Sequence, residues 1–279
     1  MFAYYSLVGA VFLGISFLIW GFSLNPSLYH PNLFFEIGFW LFLDGVDFML
    51  NGDSFLHKFK RRFGRLSLAI FLGAVIGAVF DLFGVIISKT WQYPVVTNIA
   101  KVIELYVAWG VCLPMFYSGY RVVKHFIWKS KINLRIKLKN KKSLLSMLGI
   151  AGFILCLLSA ILGFAFNLKG ILVFALGILG MWFICEYVSF IEKRKNFLID
   201  LVEGNPKPII IAAIAGILTG IVWEFGNLSA LAWKYTNIAF SDIKILGIPI
   251  MIILGWPALY VLFLSFYRAV FKSKGRELF

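Results

Sequence analysis

The chain alternates long apolar runs with short polar segments, and eight of the apolar runs are close to 20 residues long. A helix needs about 20 predominantly apolar residues to cross a lipid bilayer. The second run is the most polar, because it contains Glu36, Asp44 and Asp47. The pattern predicts eight transmembrane helices, at residues 3–24, 33–50, 66–88, 98–120, 144–166, 171–191, 208–231 and 245–267.

The composition agrees with a protein that lies in lipid. Of the 279 residues, 61% are hydrophobic and 14% are charged, and the mean hydropathy is +0.89. Soluble domains average about 45–50% apolar and about 25% charged residues, and disordered chains are less hydrophobic still. Both classes are therefore excluded, and the expected fold class is an all-α polytopic integral membrane protein.

The positions of the basic residues predict the topology. The net charge is +14, and 22 of the 27 Lys and Arg residues fall in alternate polar segments, at 51–65, 121–142, 192–207 and after 267. The positive-inside rule places these segments in the cytoplasm. We therefore expect a multi-pass protein of the cell membrane with both termini cytoplasmic. Anionic membrane lipids are its expected partners, and nucleic acid is not expected.

The rare residues disfavour metal and redox chemistry. Cys112, Cys156 and Cys185 lie in apolar runs without a Cys-x-x-Cys motif, and the three histidines lie in predicted loops or at helix ends. Structural zinc, a disulfide framework and haem ligation all need other spacings. The sequence therefore predicts no metal site and no cofactor.

The two halves of the chain resemble each other. A shift of 142 residues places Asp44 on Glu186, and a shift of 143 extends the match. The matched motifs are Gly38-x-Trp40 with Gly180-x-Trp182, Gly73-xxx-Gly77-xxx-Asp81 with Gly216-xxx-Gly220-xxx-Glu224, and Trp91-x-Tyr93 with Trp233-x-Tyr235. We expect two tandem four-helix repeats, residues 1–120 and 143–279, joined by a basic cytoplasmic linker at 121–142. An even number of helices per repeat keeps both repeats parallel, so the repeat axis should follow the membrane normal.

Seven of the thirteen acids fall within predicted spans. An acid at a helix centre costs about 2.5–3.5 kcal/mol on insertion scales. Since no basic residue lies mid-span, we expect these acids to be satisfied by neutral polar side chains, by each other or by water. Glu104 is the exception, because Lys101 lies three residues before it and predicts a surface ion pair.

Asp81 and Glu224 are the leading site candidates. Each continues a small-xxx-small face that packs helices together, so each should point into the bundle. We expect them to act as proton donors or relays in a cavity that opens toward the outer leaflet. The candidate binding residues around them are Asn227, Trp91, Tyr93, Trp233, Tyr235, Trp256, Asp44 and Glu186.

Two resemblances add to this interpretation. The second half contains Trp223-Glu224-x-x-Asn227, Trp233-Lys234-Tyr235, Lys244-Ile245, Pro249 and Leu254-Gly255-Trp256-Pro257. In these motifs it resembles a group of prokaryotic polytopic membrane proteins, which implies a multi-pass fold but no particular activity.

The acids and aromatics are also similar, more distantly, to the lycopene cyclase domain, in which an acid precedes a Trp-x-Tyr or Trp-x-Phe motif. Ile248-Pro249 followed by Gly255-Trp256 also resembles the carotenoid hydratases. The Glu-Glu pair that follows the cyclase proline is absent here, because Ile250-Met251-Ile252 follows Pro249. The similarity therefore covers Asp81, Glu224 and their aromatics, and it implies acid chemistry on a carotenoid-like substrate.

Three functions remain open at this stage. The first is an enzyme that acts on a polyprenyl or carotenoid-like lipid by acid chemistry, which needs a buried carboxylic acid and aromatic faces. The second is a transporter or channel, with proton coupling as one form of it, since intramembrane acids also relay protons. The third is a non-catalytic membrane protein. The sequence carries no signal for the oligomeric state.

Overall fold

Long helices make up most of the protein. The structure, a computed structural model, describes residues 3–21, 31–59, 62–128 and 140–271. The helices are α1 (Ala3–Gly21), α2 (Pro31–Asn51), α3 (Phe55–Phe59), α4 (Phe63–Asp81), α5 (Ile99–Ile127), α6 (Lys141–Phe164), α7 (Ile171–Ile191), α8 (Phe197–Val202), α9 (Lys207–Ala230) and α10 (Ile250–Val270). A π-helical segment, Leu82–Ile87, continues α4.

Six helices of the described residues are long and apolar enough to cross a membrane. They are Phe63–Ile87, Ile99–Ile127, Lys141–Phe164, Ile171–Ile191, Lys207–Leu228 and Ile250–Val270. The apolar part of α1, Tyr4–Leu18, is shorter, and three acids interrupt α2. This set of apolar helices indicates a multi-pass membrane protein.

Some predicted helix boundaries were wrong. The fourth span was predicted to end at 120, but α5 continues to Ile127 because no Gly or Pro follows Tyr120 within that stretch. The last span was predicted to start at 245, but strands β3 (Lys244–Ile245) and β4 (Ile248–Pro249) form a hairpin there. Gly247, with a φ of 81°, supplies the left-handed turn residue that this hairpin requires.

The two ends of the bundle have different structures. At the sheet end, β1 (Trp91–Gln92) pairs antiparallel with β2 (Lys234–Tyr235), and the Gly170 amide donates to the Ser88 carbonyl at 2.8 Å. At the opposite, basic end, the short helices α3 and α8 connect the long ones. Because α4 and α9 lead into the two paired strands, both run toward the sheet end. Residues 129–139 of the predicted linker and 272–279 of the basic tail lie outside the described residues.

Helices α5 and α10 form the centre of the bundle. Phe116 and Tyr260 stack with ring centroids 4.5 Å apart, and the Tyr260 hydroxyl donates to the Phe116 carbonyl at 2.7 Å. Helix α5 packs against α2 and α4, and α10 packs against α7 and α9. Helices α1 and α6 are peripheral, and α6 exposes about two thirds of the Met147 and Phe153 side chains. Such an apolar surface is suited to contact with lipid.

Glycine pairs allow the peripheral helices to approach their partners closely. A Cβ atom on Gly152 would lie 2.7 Å from the carbonyl oxygen of Gly180, so α6 and α7 touch through their backbones. A Cβ atom on Gly9 would lie 2.6 Å from the carbonyl oxygen of Gly38, and α1 meets α2 in the same way. Both crossings are of the small-residue type common in membrane helices.

Candidate functional site

A cavity of about 640 Å³ lies among α5, α7, α9 and α10, and its lining along α9 extends from Ile209, near the basic end, to Glu224, near the sheet end. Its volume falls within the range typical of small-molecule sites. Six tryptophans line it: Trp91, Trp109, Trp182, Trp223, Trp233 and Trp256. Glu36 and Glu224 are the acids in the lining, which contains no Lys, Arg or His among the described residues. The cavity is therefore apolar and aromatic, with two carboxyl groups on its wall.

Glu224 is held by hydrogen-bond donors that also line the cavity. The Tyr235 hydroxyl donates to Oε1 at 2.5 Å, and the Trp256 indole Nε1 donates to the same oxygen at 3.2 Å. Trp233 forms a further side-chain hydrogen bond with the carboxyl group. Glu224 itself is only 2% exposed.

Asp81 lies behind the cavity wall rather than in it. The Tyr93 hydroxyl donates to Oδ1 at 2.7 Å, and Trp91 Nε1 donates to the same atom at 3.3 Å. Trp109 Nε1 donates to Oδ2 at 3.1 Å. These three aromatic residues line the cavity, whereas Asp81 is not part of the lining. Asp81 thus fixes the orientation of the aromatic wall.

The π-helical segment after Asp81 makes room for this arrangement. A Cβ atom on Gly84, within Leu82–Ile87, would collide with the Trp91 ring, so the indole packs directly on the backbone. Phe80 stacks on Trp91 from another side, with centroids 5.0 Å apart. Single-turn π segments in helices are frequent at functional sites.

The tyrosine hydroxyls of the two sheet-end loops remain protonated donors. Burial, and then the charge of the adjacent carboxyl group, raises the pKa of Tyr93 and of Tyr235 well above its ordinary value. Each tyrosine therefore keeps its proton and shares it with Asp81 or Glu224.

Asn227 shapes the loop that carries these aromatics. Its side-chain amide donates to the Trp233 carbonyl and accepts from the Trp233 amide, both at 3.0 Å. The residue therefore positions Trp233 and does not line the cavity itself.

Asp44 and Glu186 lie away from the cavity, toward the basic end. Asp44 accepts from the Ser54 hydroxyl at 2.6 Å, from the Leu56 amide and from the Ser118 hydroxyl. Glu186 accepts from the Leu198 amide at 2.9 Å and from the Ser265 hydroxyl at 2.5 Å. Each acid thus ties a short connecting helix, α3 or α8, to the central helix of its half of the chain.

The expectation that no basic residue pairs with the buried acids was wrong for Asp47. Because α5 continues beyond residue 120, Arg121 lies on a helix that faces α2, and its Nε donates to Asp47 Oδ2 at 2.8 Å. The ion pair between Lys101 and Glu104 does form, at 3.8 Å, although the Lys101 side chain is buried.

Among the acids and tryptophans of the cavity lining, sequence reasoning missed four. Glu36 was counted among the span acids but not placed in a site, and Trp109, Trp182 and Trp223 were not singled out as site residues. Trp109 had a usable signal, because the shift of 147 residues that matches Tyr120-Arg121 with Tyr267-Arg268 also matches Trp109 with Trp256. Glu36 had no such signal, because the residue at the corresponding position of the second half, at a shift of 142, is Ile178 and not an acid.

We expect Asp81→Asn to destabilise the protein more than Glu224→Gln. Both oxygens of Asp81 accept hydrogen bonds, so an amide in either orientation turns its NH₂ group toward a donor. A glutamine at 224 can keep its oxygen at the Oε1 position. An unsatisfied buried donor costs about 1–3 kcal/mol, and the two melting temperatures in detergent would measure the difference. Equal melting temperatures would contradict the acceptor role of both Asp81 oxygens.

Comparison of the chain with protein-family models, with curated proteins and with solved structures finds no match. Among the described residues, no group of three or more His, Cys, Asp or Glu side chains is placed to hold a metal ion. The functional argument therefore depends on the cavity itself.

Proposed function

We propose that the protein is a membrane-embedded enzyme that acts on a polyprenyl or carotenoid-like lipid by acid chemistry. The observation that carries this proposal is the position of Glu224, a buried carboxyl group on the wall of a tryptophan-lined cavity. A carboxylic acid there can protonate an alkene, and aromatic faces stabilise the carbocation that forms. Asp81 has a positioning role in this scheme, because it holds Trp91, Tyr93 and Trp109 in place.

The cavity has a shape suited to an elongated apolar molecule. Its lining along α9 extends from Ile209 to Glu224. At 1.5 Å per residue, this distance is about 22 Å. A hydrocarbon chain could lie along α9 with a double bond near Glu224.

Lipid mass spectrometry of the purified protein tests the proposal. Gly255 lines the cavity, and a Cβ atom there would meet nothing within 4 Å, so Gly255→Phe should add a ring at the cavity wall. Gly14 on α1 has equally open space outside the cavity and serves as the matched control through Gly14→Phe. We expect an isoprenoid to co-purify with the wild type and Gly14→Phe but not with Gly255→Phe. An equal lipid content in all three would contradict the proposal.

A second candidate function is proton-coupled transport. It is favoured by the distribution of the buried acids, since Asp81 and Glu224 lie toward the sheet end, whereas Asp44 and Glu186 lie toward the basic end. Proton relays contain acids along the path through the membrane, and here acids lie toward both ends of the bundle. Proton flux in reconstituted vesicles that is lost in both Glu186→Gln and Glu224→Gln would favour transport over the enzyme.

The proposal includes eight spans arranged as two parallel four-helix repeats. Equivalent contacts support it: Tyr93 and Trp109 donate to Asp81 as Tyr235 and Trp256 donate to Glu224. In the β1–β2 ladder Gln92 pairs with Lys234, and these two positions are themselves 142 residues apart. A two-fold axis through that pair would generate this antiparallel register.

The basic end should face the cytoplasm, so the cavity would open toward the outer leaflet. We expect an external thiol reagent to label a cysteine at Asn237, in the sheet-end loop, but not one at Asn140 before permeabilisation. Both positions are exposed, and the native cysteines are buried or half-buried. External labelling at Asn140 would reverse the orientation. Ser27, in a second predicted outer loop, lies outside the described residues.

A further inference from the structure

Glu36 differs from the other buried acids of the described residues. It lies on α2, is 4% exposed and lines the cavity. Among the described residues its Oε2 atom has no hydrogen-bond partner. Hydrogen bonds from neighbouring groups satisfy four of the others, which are Asp44, Asp81, Glu186 and Glu224. The fifth, Asp47, pairs with Arg121.

An unsatisfied buried carboxyl oxygen points to a missing donor. Buried polar atoms in folded proteins nearly always have a partner, and the exceptions occur where a ligand or another group completes the site. Glu36 belongs to the cavity wall, but Oε2 itself is buried. A rotation of the side chain would present the carboxyl group to a molecule in the cavity. Apart from Glu224, Thr90 and two tyrosines, the rest of the wall is apolar or tryptophan. A largely hydrophobic molecule should therefore carry this donor.

The charges of the cavity restrict the kind of polar group. The lining contains Glu36 and Glu224 but no basic side chain among the described residues. A phosphate, diphosphate or carboxylate head would therefore meet two carboxyl groups and no counter-ion. A hydroxyl or ammonium head can donate to Glu36, and the tryptophan faces further favour a cation.

On the basis of the function proposed above, we propose that the cavity ligand is an isoprenoid lipid with a hydrogen-bond-donating head group, an alcohol or an amine, which binds Glu36. The tail lies against the tryptophans, with the reacting double bond near Glu224. Glu36 is then the residue that selects the head group.

The test uses four probes with the same C20 tail: geranylgeraniol, geranylgeranylamine, geranylgeranyl diphosphate and the corresponding hydrocarbon without a head group. Binding to the purified full chain is measured by quenching of the cavity tryptophans. The variants are Glu36→Leu and Glu36→Gln. The control is Glu104→Gln, which changes an acid at the sheet end that is not part of the cavity lining.

We expect the wild type and Glu104→Gln to bind the alcohol and the amine at least tenfold more tightly than the hydrocarbon or the diphosphate. Glu36→Leu should bind all the non-ionic and cationic probes as weakly as the hydrocarbon. Glu36→Gln separates the two head groups, because its amide oxygen still accepts from an alcohol but lacks the charge that attracts an ammonium. It also remains informative if Glu36→Leu fails to fold.

Two results would overturn the inference. One is equal binding of the hydrocarbon and both donor probes to the wild type, and the other is a preference for the diphosphate. In either case tail binding would persist, and the proposed function would stand. Failure of all four probes to bind would overturn the proposed function together with the inference.

Discussion

Glu224→Gln is expected to lower the rate of solvent proton transfer to the bound lipid by at least about 100-fold, because a positioned general acid contributes about 10²–10⁴-fold. The amide keeps the size of the carboxyl group and can accept from Tyr235 and Trp256 at the Oε1 position. It has no acidic proton to give to an alkene. Incorporation of deuterium from D₂O into the co-purified lipid, followed by mass spectrometry, measures the rate.

Glu104→Gln is the control for this measurement, because it removes an acid at the same end of the bundle without touching the cavity. It should incorporate deuterium at the wild-type rate. The melting temperature of Glu224→Gln should stay close to that of the wild type, so a loss of incorporation would be chemical. Wild-type incorporation in Glu224→Gln would remove this residue from the mechanism.

The sequence named those site residues whose motifs occur in both halves of the chain. Asp81 and Glu224 each follow a Gly-xxx-Gly face and precede a Trp-x-Tyr motif, and in both halves the tyrosine donates to the acid. Local helix periodicity and the match between halves contain this information. The five aromatic residues named from the sequence all line the cavity.

The parts that the sequence did not predict depend on single, unrepeated contacts. Asp47 and Arg121 are 74 residues apart, and Arg121 lies just beyond the predicted end of its span, in the part of α5 that the apolar pattern did not indicate. At a shift of 142, Asp47 corresponds to Ser189, so the second half held no parallel for it. The sequence matched Asp44 with Glu186 but did not indicate their donors. The Leu56 and Leu198 amides that donate to them belong to the short helices α3 and α8, which lie inside segments expected to be loops.

The largest stability change is expected from Arg121→Met. Asp47 is fully buried, and both of its oxygens accept from Arg121 Nε, at 2.9 and 2.8 Å. The Arg121 guanidinium also binds Asp53, which connects α2 to α5 across the basic end. Removing the cation leaves Asp47 with the Asn51 amide, at 2.8 Å. Breaking a buried pair in this way costs about 3–5 kcal/mol.

A matched surface pair and a double variant test this interpretation. The side chains of Lys141 and Glu203 are about 40–50% exposed at 2.6 Å separation, and exposed pairs contribute about 1 kcal/mol or less, so Lys141→Met should change stability little. Arg121→Met combined with Asp47→Leu removes both charges, and replacing a buried pair by apolar residues is often neutral. In unfolding experiments in detergent, the double variant should therefore be clearly more stable than Arg121→Met alone. If the double variant were as unstable as the single one, the loss would come from the packing of the Arg121 stem and its bond to Asp53, and not from the uncompensated charge of Asp47.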